Sequence, residues 1–289
     1  MPQAKIGVIG GSGLYEIEGL HDIQEVNIET PFGKPSDAIT VGTLEGVNIA
    51  FLPRHGRGHR ISPTDIPVRA NIYALKSLGV DTVISISAVG SLKEEIHPMD
   101  LVIPDQLIDR TKSRVNSFFD TGLVVHAPFA NPFCPALSAV LYQCATETGV
   151  RVHRGGTWLV MEGPLFSTRA ESELYRSWGA SIIGMTALPE AKLAREAEMC
   201  YAALACTTDY DCWHPAHESV TIDMVIQNLL RNVATAKEII RKMAGRIPEK
   251  RKCDCSSALK DAIVTSRDKI PAHLKQEMAL LIGKYIPYP

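Results

Sequence analysis

The sequence predicts an α/β fold with a mixed, mostly parallel central sheet flanked by helices. Short apolar runs typical of buried strands alternate along the chain with longer stretches in which apolar residues recur at helical spacing. Such alternation favours helices packed against a mostly parallel sheet. With 289 residues, of which 45% are hydrophobic, the chain is long enough to bury a full core. We expect a single domain over residues 1–289, in which residues from about 246 to 289 form a C-terminal helical extension packed on it.

The stretch at residues 5–14 is a short apolar run, typical of a buried strand, that opens into the turn Gly10-Gly11-Ser12-Gly13. Glycines allow consecutive amides to face one concavity, and the Ser12 hydroxyl adds a donor, so this turn suits an anion such as phosphate. A turn that only reverses the chain remains an alternative. Two other nucleotide loops do not fit. A dinucleotide fingerprint needs glycine where Glu16 stands, and a triphosphate loop needs a lysine that does not follow Gly13.

The later elements follow from turn and capping residues. Glu45-Gly46 joins two strands as a hairpin, Pro67 lies near the first turn of a helix that Gly79 ends, and Thr168 with Glu171 forms a capping box. Strands are predicted at residues 23–28, 38–44, 47–52, 83–86, 101–108, 158–161, 181–184 and 201–207, and helices at about 67–78, 135–149, 169–178, 189–198, 222–243 and 271–284.

Polar segments follow several of these strands. The loop at residues 54–63 begins with Arg54 and His55, which are well placed to reach an anion at the strand tips, although a solvated basic loop has the same composition. Ser87-Ala88-Val89-Gly90-Ser91 is a second small-residue segment directly after a strand, which favours a shared anion site. Thr208-Asp209-Tyr210-Asp211 is expected at the same edge of the sheet.

Composition limits the partners of the chain. Lys and Arg number 30 against 32 Asp and Glu, so no overall field attracts nucleic acid or an anionic membrane. No apolar stretch is long enough to span a bilayer, and the N-terminus has no basic region followed by a long apolar run. We therefore expect a cytoplasmic protein that binds small molecules, and neither nucleic acid nor membrane.

The seven cysteines fall into two groups. Five lie among apolar or helical residues, where a reduced thiol behaves as a small hydrophobe: Cys134, Cys144, Cys200, Cys206 and Cys212. For Cys253-Asp254-Cys255, surface thiols, a redox-active or disulfide pair, and a metal site remain open. A zinc site needs two further ligands, and no second Cys pair or His pair at matched spacing accompanies this one. We therefore expect no metal.

Six sequence blocks occur in the order in which a known family carries them. They are Gly10-Gly11-Ser12-Gly13, Thr30-Pro31-Phe32-Gly33-Lys34-Pro35-Ser36-Asp37, Arg54-His55-Gly56-Arg57, Glu162-Gly163-Pro164, Met185-Thr186 and Thr208-Asp209-Tyr210-Asp211-Cys212-Trp213. On these blocks the chain resembles, over nearly its whole length, the S-methyl-5'-thioadenosine phosphorylases, which belong to the trimeric class of the purine nucleoside phosphorylase superfamily. Only the C-terminal residues that contain Cys253 and Cys255 resemble the family loosely.

The resemblance implies the nucleoside phosphorylase fold and a pentosyltransferase of methionine and purine salvage. The reaction would be reversible cleavage of a purine N-glycosidic bond by inorganic phosphate, giving adenine and 5-methylthioribose 1-phosphate. Phosphate is a co-substrate, no cofactor is implied, and a homotrimer or a dimer of trimers is expected. The phosphate-binding positions implied are Ser12, Arg54, His55, Ser87, Ala88 (through its main chain) and Thr186. The substrate-binding positions implied are Phe166, Ser167, Met185, Asp209, Asp211 and Ile222, with His126 reaching the neighbouring subunit.

Asp209 and Asp211 are the candidate catalytic residues on chemical grounds. Phosphate is a modest nucleophile, so the rate must come from holding it beneath an oxocarbenium-like sugar and from activating the purine as a leaving group. Asp211 can donate a proton to purine N7 if burial or the neighbouring Asp209 keeps its carboxyl partly protonated. Asp209 favours adenine by accepting from the exocyclic amine, whereas asparagine there would favour a 6-oxo purine. A solvated turn is the alternative interpretation.

Departures from the family pattern leave alternatives open. Gly184 stands where many relatives have asparagine and Leu165 where some have arginine, so base selection leans more on the aspartates. A related phosphorylase for inosine, guanosine or methylthioinosine is one alternative, and a nucleotide-binding or redox-sensing protein that uses Cys253 and Cys255 is another. Cys134 and Cys200 match positions that are disulfide-linked in some heat-loving relatives, so the resemblance implies that they can pair, although a cytosol favours reduced thiols unless the source is a hyperthermophile.

Overall fold

The computed structural model describes residues 2–11, 14, 16–215 and 222–287, without the side chains of residues 222–227, 229 and 230. Eleven strands in these ranges form one sheet. They are β1 (Ile6–Gly10), β2 (His21–Val26), β3 (Ile39–Leu44), β4 (Val47–Pro53), β5 (Thr82–Ser91), β6 (Leu101–Ile103), β7 (Gln106–Arg110), β8 (Val152–Arg154), β9 (Thr157–Met161), β10 (Ile182–Gly184) and β11 (Cys200–Asp209).

Helices cover the two faces of this sheet. They are α1 (Val68–Ser77), α2 (Pro135–Thr146), α3 (Arg169–Ser177), α4 (Ala187–Glu196), α5 (Ile222–Ala244), α6 (Ala272–Glu277) and α7 (Ala279–Ile282), with a short 3-10 helix at Asp254–Ser257. None of the helices in the described ranges has the length and hydrophobicity needed to cross a membrane. The predicted capping box is present, because the Thr168 hydroxyl accepts from the amide of Glu171 while the Glu171 carboxylate accepts from that of Thr168.

The sheet is mixed and mostly parallel. Its strand order is β2-β3-β4-β1-β5-β10-β9-β7, with β11 pairing with both β5 and β6, and β8 pairing with β6. Six of these pairings are parallel and four are antiparallel. The predicted α/β fold is therefore confirmed, including the hairpin between β3 and β4.

The two faces of β1 enter two different hydrophobic cores. Its five residues are all buried, since β4 and β5 flank it on both sides. Successive side chains of a strand point to opposite faces. Ile9 therefore packs in the core that includes α1 and α4, whereas Val8 packs in the core that includes α2 and α5. This double burial fixes β1 at the centre of the molecule, with its carboxyl end at the candidate site.

Several predicted elements differ from the observed bounds and β8 was not predicted, and three of the differences have a clear physical reason. β5 continues to Ser91 instead of ending at residue 86, because it keeps pairing with β11 and then also with β10. The strand predicted at 101–108 is two strands, since Pro104 cannot donate to a ladder and β6 and β7 pair with different neighbours. The last helix is divided at Met278, whose φ of −94° and ψ of 6° leave helical geometry.

Candidate active site

The carboxyl ends of four parallel strands define one edge of the sheet. At the ends of β1 and β4, Gly10 lies opposite Pro53. Further along the same edge, Gly90 of β5 lies opposite Asp209 at the end of β11. β10 runs antiparallel to β5 and leads into Met185 and Thr186. Ligands of open α/β sheets bind outside such strand ends, so this edge is where the predicted site residues should meet.

Two predicted phosphate residues do meet there. The Ser87 hydroxyl lies 2.9 Å from that of Thr186, which links β5 to the start of α4. Ser87 is buried, and Ala88 follows it along β5 opposite Cys206 of β11. Each hydroxyl has one hydrogen to donate and two lone pairs, so the pair can donate one hydrogen bond to an anion while keeping its mutual contact.

Arg54 is held in a buried ion pair that the sequence analysis missed. Its Nε and Nη2 donate to the two carboxylate oxygens of Glu190 at 2.9 and 3.1 Å. Nη1 donates to the carbonyl of Ile86 at 2.9 Å and Nη2 to the hydroxyl of Ser85 at 2.7 Å, while the Tyr201 hydroxyl donates to Glu190 at 2.9 Å. A guanidinium has five N–H groups, and one on Nη1 has no partner among the described residues. Arg54 therefore has a single fixed N–H to offer a ligand.

His55, the next residue, is a neutral imidazole at neutral pH. The pKa of His55 is lowered to about 4, mainly by burial and also by the positive charge of Arg54, although the contact with Ile61 acts in the opposite direction. Nδ1 lies 2.8 Å from the carbonyl of Ile61, which can only accept, so the proton is on Nδ1. The ring of His59 stacks on His55 with centroids 4.1 Å apart. Nε2 is left as an acceptor, which suits a protonated oxygen of phosphate.

Asp209 is a buried carboxyl at the end of β11. The Thr208 hydroxyl donates to Oδ2 at 2.6 Å, and the amide of Asp211 donates to Oδ1 at 2.8 Å. Burial raises the pKa of Asp209 to about 6 even though both hydrogen bonds act against this shift. Gly90 is required opposite it, because a Cβ on Gly90 would lie 2.8 Å from Oδ1. The remaining lone pairs of the carboxylate can still accept from a ligand.

Asp211 lies beside Asp209 and is also buried. Burial raises its pKa and the charge of Glu171 adds to this, whereas hydrogen bonding to Ser172 and Ser167 lowers it. Its φ of 52° is in the left-handed region, which a non-glycine residue adopts at some cost. Both aspartates thus retain their protons to higher pH than exposed carboxyls do, and for Asp211 the dominant cause is burial.

The predicted sugar and base residues lie on the loop that follows β9 and on the segment after β10. Cys212 donates from Sγ to the carbonyl of Ser167 at 3.3 Å, so this loop adjoins the two aspartates. Phe166 next to it is 46% exposed, which leaves its ring open to a ligand or to another chain. Met185 packs on the same loop, since a Cβ on Gly163 would lie 2.5 Å from its sulfur.

Arg114 holds these two segments together, and sequence reasoning did not find it. Its side chain is 2% exposed and pairs with Glu162, with 3.2 Å between Nε and Oε1. Nη1 donates to the carbonyls of Met185 and Leu188 at 2.5 and 2.7 Å, and Nη2 donates to the carbonyl of Glu162. Glu162 belongs to one of the recognised blocks, but Arg114 lies in an irregular stretch where no periodic pattern marks it.

Three predicted residues are not brought into the described site. Ser12 lies outside the described residues, and of Ile222 only the backbone at the start of α5 is described. His126 is exposed, and its amide donates to the carbonyl of Ala262 at 2.8 Å. Its predicted reach to a neighbouring subunit stays a prediction.

The presence of glycine at position 184 has a steric explanation in this chain. A Cβ at that position would lie 2.9 Å from Nε1 of Trp158 and 3.2 Å from Cγ1 of Val89. The indole of Trp158 is fully buried, and its N–H has no hydrogen-bond partner among the described residues. Trp158 therefore occupies the space that a longer side chain at 184 would need.

Comparison with known proteins gives a family for this arrangement. The sequence profile described as the phosphorylase superfamily matches residues 5–244. The chain belongs to this superfamily. Among curated members of the phosphorylase superfamily, it is 58% identical over 282 residues to the S-methyl-5'-thioadenosine phosphorylase of Geobacter sulfurreducens, covering 97% of this chain and 99% of the relative. It is 54% identical over 283 residues to that of Koribacter versatilis, covering 98% and 97%.

Solved structures of the superfamily have the same fold. A methylthioadenosine phosphorylase from an antarctic soil metagenomic library superposes with a TM-score of 0.93 at 48% identity, covering 97% of this chain and 99% of that one. The methylthioadenosine phosphorylase of Schistosoma mansoni in complex with adenine gives a TM-score of 0.81 at 36% identity, covering 89% and 96%. The resemblance stated from the six sequence blocks is therefore confirmed.

Proposed function

We propose that this chain catalyses the reversible phosphorolysis of S-methyl-5'-thioadenosine to adenine and 5-methylthioribose 1-phosphate. The observation that carries the proposal is the placement of two buried aspartates, Asp209 and Asp211, at the same sheet edge as the hydroxyls of Ser87 and Thr186. One end of this edge offers donors for an anion, and the other offers carboxyls with raised pKa for a purine. The curated relatives and the neighbouring structures carry the same activity in their names.

The phosphate end is built from neutral hydroxyls and one buried arginine. The Ser87–Thr186 hydroxyl pair and the free N–H of Arg54 each donate one hydrogen bond to phosphate oxygens, and neutral His55 accepts from a protonated oxygen. Ser12 and the main chain of Ala88 complete this set in our proposal. Because Arg54 is neutralised by Glu190, the site attracts phosphate with directed hydrogen bonds more than with net charge.

The purine end combines a proton donor with an acceptor. Asp211, whose pKa burial raises, is the proton donor in our proposal: its protonated form donates to N7 and so improves the purine as a leaving group. Asp209, ionised above a pKa of about 6, accepts from the exocyclic amine of adenine. A 6-oxo purine would place an acceptor against this acceptor, which costs roughly 1–3 kcal/mol for an unsatisfied buried polar group. Adenine is therefore the favoured base.

The sugar end is completed by a neighbouring subunit in our proposal. Phe166, Ser167 and Met185 line the ribose and base, Ile222 contacts the methylthio group, and His126 of one subunit reaches the site of the next. A homotrimer, or a dimer of trimers, is supported by apolar side chains exposed on this part of the single chain. Leu165 is 81% exposed, Val115 56% and Phe166 46%.

The proposed reaction needs no cofactor, because inorganic phosphate is itself the nucleophile. We place the enzyme in the cytoplasm and in methionine and purine salvage, where methylthioadenosine is the substrate and adenine a product. Its small-molecule partners are a nucleoside and phosphate. The near-neutral charge agrees with this, since it creates no field for nucleic acid.

The direct test is product analysis with methylthioadenosine as the only nucleoside. Free adenine and a new sugar 1-phosphate, followed by phosphorus NMR, should appear together and only when phosphate is added. Adenine released equally well without phosphate would indicate a hydrolase and contradict the proposal. No turnover under either condition would favour a binding protein.

A further inference from the structure

Four cysteines that are far apart in the sequence meet at one point of the fold. The sulfur atoms of Cys134, Cys200, Cys253 and Cys255 all lie within 4.8 Å of one another. Cys200 and Cys253 are the closest measured pair, with 3.3 Å between their sulfurs. The sequence has no second Cys pair or His pair at matched spacing for Cys253 and Cys255, but the fold brings the separate residues Cys134 and Cys200 beside them.

The cluster is buried and preformed. Cys134, Cys200 and Cys255 are each less than 5% exposed, and Cys253 is half-buried, so these are not surface thiols. Backbone hydrogen bonds set the positions of two ligands, since the amide of Cys134 donates to the carbonyl of Tyr201 at 2.7 Å, next to Cys200. Sulfur atoms 2.3 Å from a tetrahedral zinc ion are about 3.8 Å from each other, which falls inside the spread of this cluster.

We propose that Cys134, Cys200, Cys253 and Cys255 bind one structural Zn²⁺ ion in a closed tetrahedral site. Binding forms four Zn–S bonds and breaks four S–H bonds, and the four protons go to solvent, so no oxidant or reductant is required. Four thiolates leave no open position for water or substrate, which is typical of structural zinc and not of catalytic zinc. Such a soft, all-sulfur tetrahedral set selects zinc over magnesium, calcium or manganese.

The surroundings suit a cluster of negative charge. Cys134 is the N-cap residue of α2, where the helix dipole favours a thiolate. The guanidinium of Arg195 approaches Cys255, with 3.8 Å between Nη1 and Sγ. These contacts partly offset the double negative charge of a zinc tetrathiolate.

The site would fasten the C-terminal part of the chain to the sheet. Cys253 and Cys255 lie at the short 3-10 helix Asp254–Ser257, whereas Cys200 begins β11 and Cys134 precedes α2. Asp209 is at the other end of β11, roughly 30 Å away at about 3.3 Å per residue. The zinc ion would therefore act on stability, at a distance from the candidate active site.

The same four sulfurs could instead form disulfides, and the two outcomes differ in measurable ways. A disulfide lowers the protein mass by two hydrogens and needs a two-electron oxidant, whereas zinc binding changes no oxidation state. The first experiment is elemental analysis of the full-length wild-type protein, purified with a thiol reductant and without chelators. We expect one zinc per chain, released in proportion when a mercurial reagent titrates the thiols.

Matched variants locate the metal. Cys253→Ser, at the half-buried position, should reduce bound zinc to about a tenth or less and lower the thermal midpoint. Cys144→Ser replaces a buried cysteine outside the cluster and should keep full zinc content. In the wild-type protein, Co²⁺ exchanged for zinc should show the sulfur-to-cobalt charge-transfer and tetrahedral d–d bands of a tetrathiolate site.

Three results with the wild-type protein would overturn the proposal. They are a zinc content that is not stoichiometric, a protein mass that shows disulfides among these four residues, and iron bound in place of zinc. Full zinc content in Cys253→Ser would also overturn it. Because zinc content is measured without an assay of turnover, these results do not depend on the proposed phosphorolysis.

Discussion

Arg54 and Glu190 form a two-point ion pair in which both side chains are at most 3% exposed. Each carries a full charge away from water, and such a pair persists only when its remaining hydrogen-bonding groups are satisfied. Ser85, Ile86 and Tyr201 provide that satisfaction. The pair fixes the guanidinium between the end of β1, at the carbonyl of Ile9, and the middle of β5, so Glu190 is a positioning residue for the phosphate end of the site.

Replacing Glu190 should affect both stability and phosphate binding. Glu190→Gln leaves the charge of Arg54 buried without a counterion, which we expect to destabilise the protein by roughly 3–5 kcal/mol. In protein that still folds, the KM for phosphate should rise more than the KM for the nucleoside. Glu25→Gln breaks the exposed pair between Glu25 and Arg57 and should change stability by less than about 1 kcal/mol. Equal effects of both variants in urea unfolding would contradict this role.

The hydroxyl contact between Ser87 and Thr186 predicts that replacing Ser87 weakens the binding of phosphate and not that of the nucleoside. Ser87→Ala removes one donor of the hydroxyl pair, and the KM for phosphate should increase about tenfold, the effect of losing one hydrogen bond of about 1.4 kcal/mol. Thr40→Val is the control, because its buried hydroxyl has no partner among the described residues and lies on β3. Initial rates at varied phosphate and saturating methylthioadenosine check this. A defect confined to the KM for the nucleoside would contradict it.

The raised pKa of Asp209 predicts that the free energy of unfolding depends on pH. Its pKa rises from 3.8 in an exposed carboxyl to about 6 in the folded protein, so the folded state favours the protonated form. The stabilisation relative to Asp209→Asn is fully present below pH 3.8 and is lost as the pH rises through about 6. The loss amounts to roughly 3 kcal/mol at most, since one pKa unit corresponds to about 1.36 kcal/mol. Urea unfolding of the wild-type protein and of Asp209→Asn, at a fixed protein concentration and over a range of pH, measures this loss. A difference in the free energy of unfolding between the two proteins that does not change with pH would contradict the buried carboxyl.

Gly184 should not accept a side chain while Trp158 is present. Gly184→Asn places a Cβ 2.9 Å from the buried indole nitrogen, and overpacking of this kind typically costs about 1–3 kcal/mol. Gly245→Asn is the matched control, because a Cβ there meets no atom within 4 Å. Thermal unfolding should show a lower midpoint for Gly184→Asn than for Gly245→Asn. Similar midpoints would show that Trp158 can move aside.

Local signals in the sequence predicted local structure well. Glu45-Gly46 marked the β3–β4 hairpin and Thr168 with Glu171 marked the start of α3, because turn and cap preferences depend on a few neighbouring residues. The end of β11 that carries Asp209 was also found, since polar residues that follow a buried apolar run can be recognised in the sequence, whereas Ser87 lies inside β5 and not after its end.

Contacts between distant segments could not be predicted in this way. No motif in the sequence marks Glu190, and only the packing of α4 on the sheet shows that it pairs with Arg54 across 136 positions. Arg114 lies in an irregular stretch, in which apolar residues do not recur at helix or strand spacing. The four clustered cysteines come from α2, β11 and the C-terminal segment, so the spacing of Cys253 and Cys255 alone gave no sign of their neighbours.

The selection of adenine by Asp209 is tested by the ratio of kcat/KM for methylthioadenosine to kcat/KM for methylthioinosine. This ratio is measured in the presence of phosphate for the wild-type protein and for Asp209→Asn. The two substrates differ in the group that Asp209 is proposed to contact. We predict a ratio well above one in the wild type, about tenfold or more from the cost of facing two acceptors, and a ratio shifted toward the 6-oxo substrate in the variant. A wild-type preference for methylthioinosine, or an unchanged ratio in an active Asp209→Asn, would contradict the assignment of Asp209 as the residue that selects adenine.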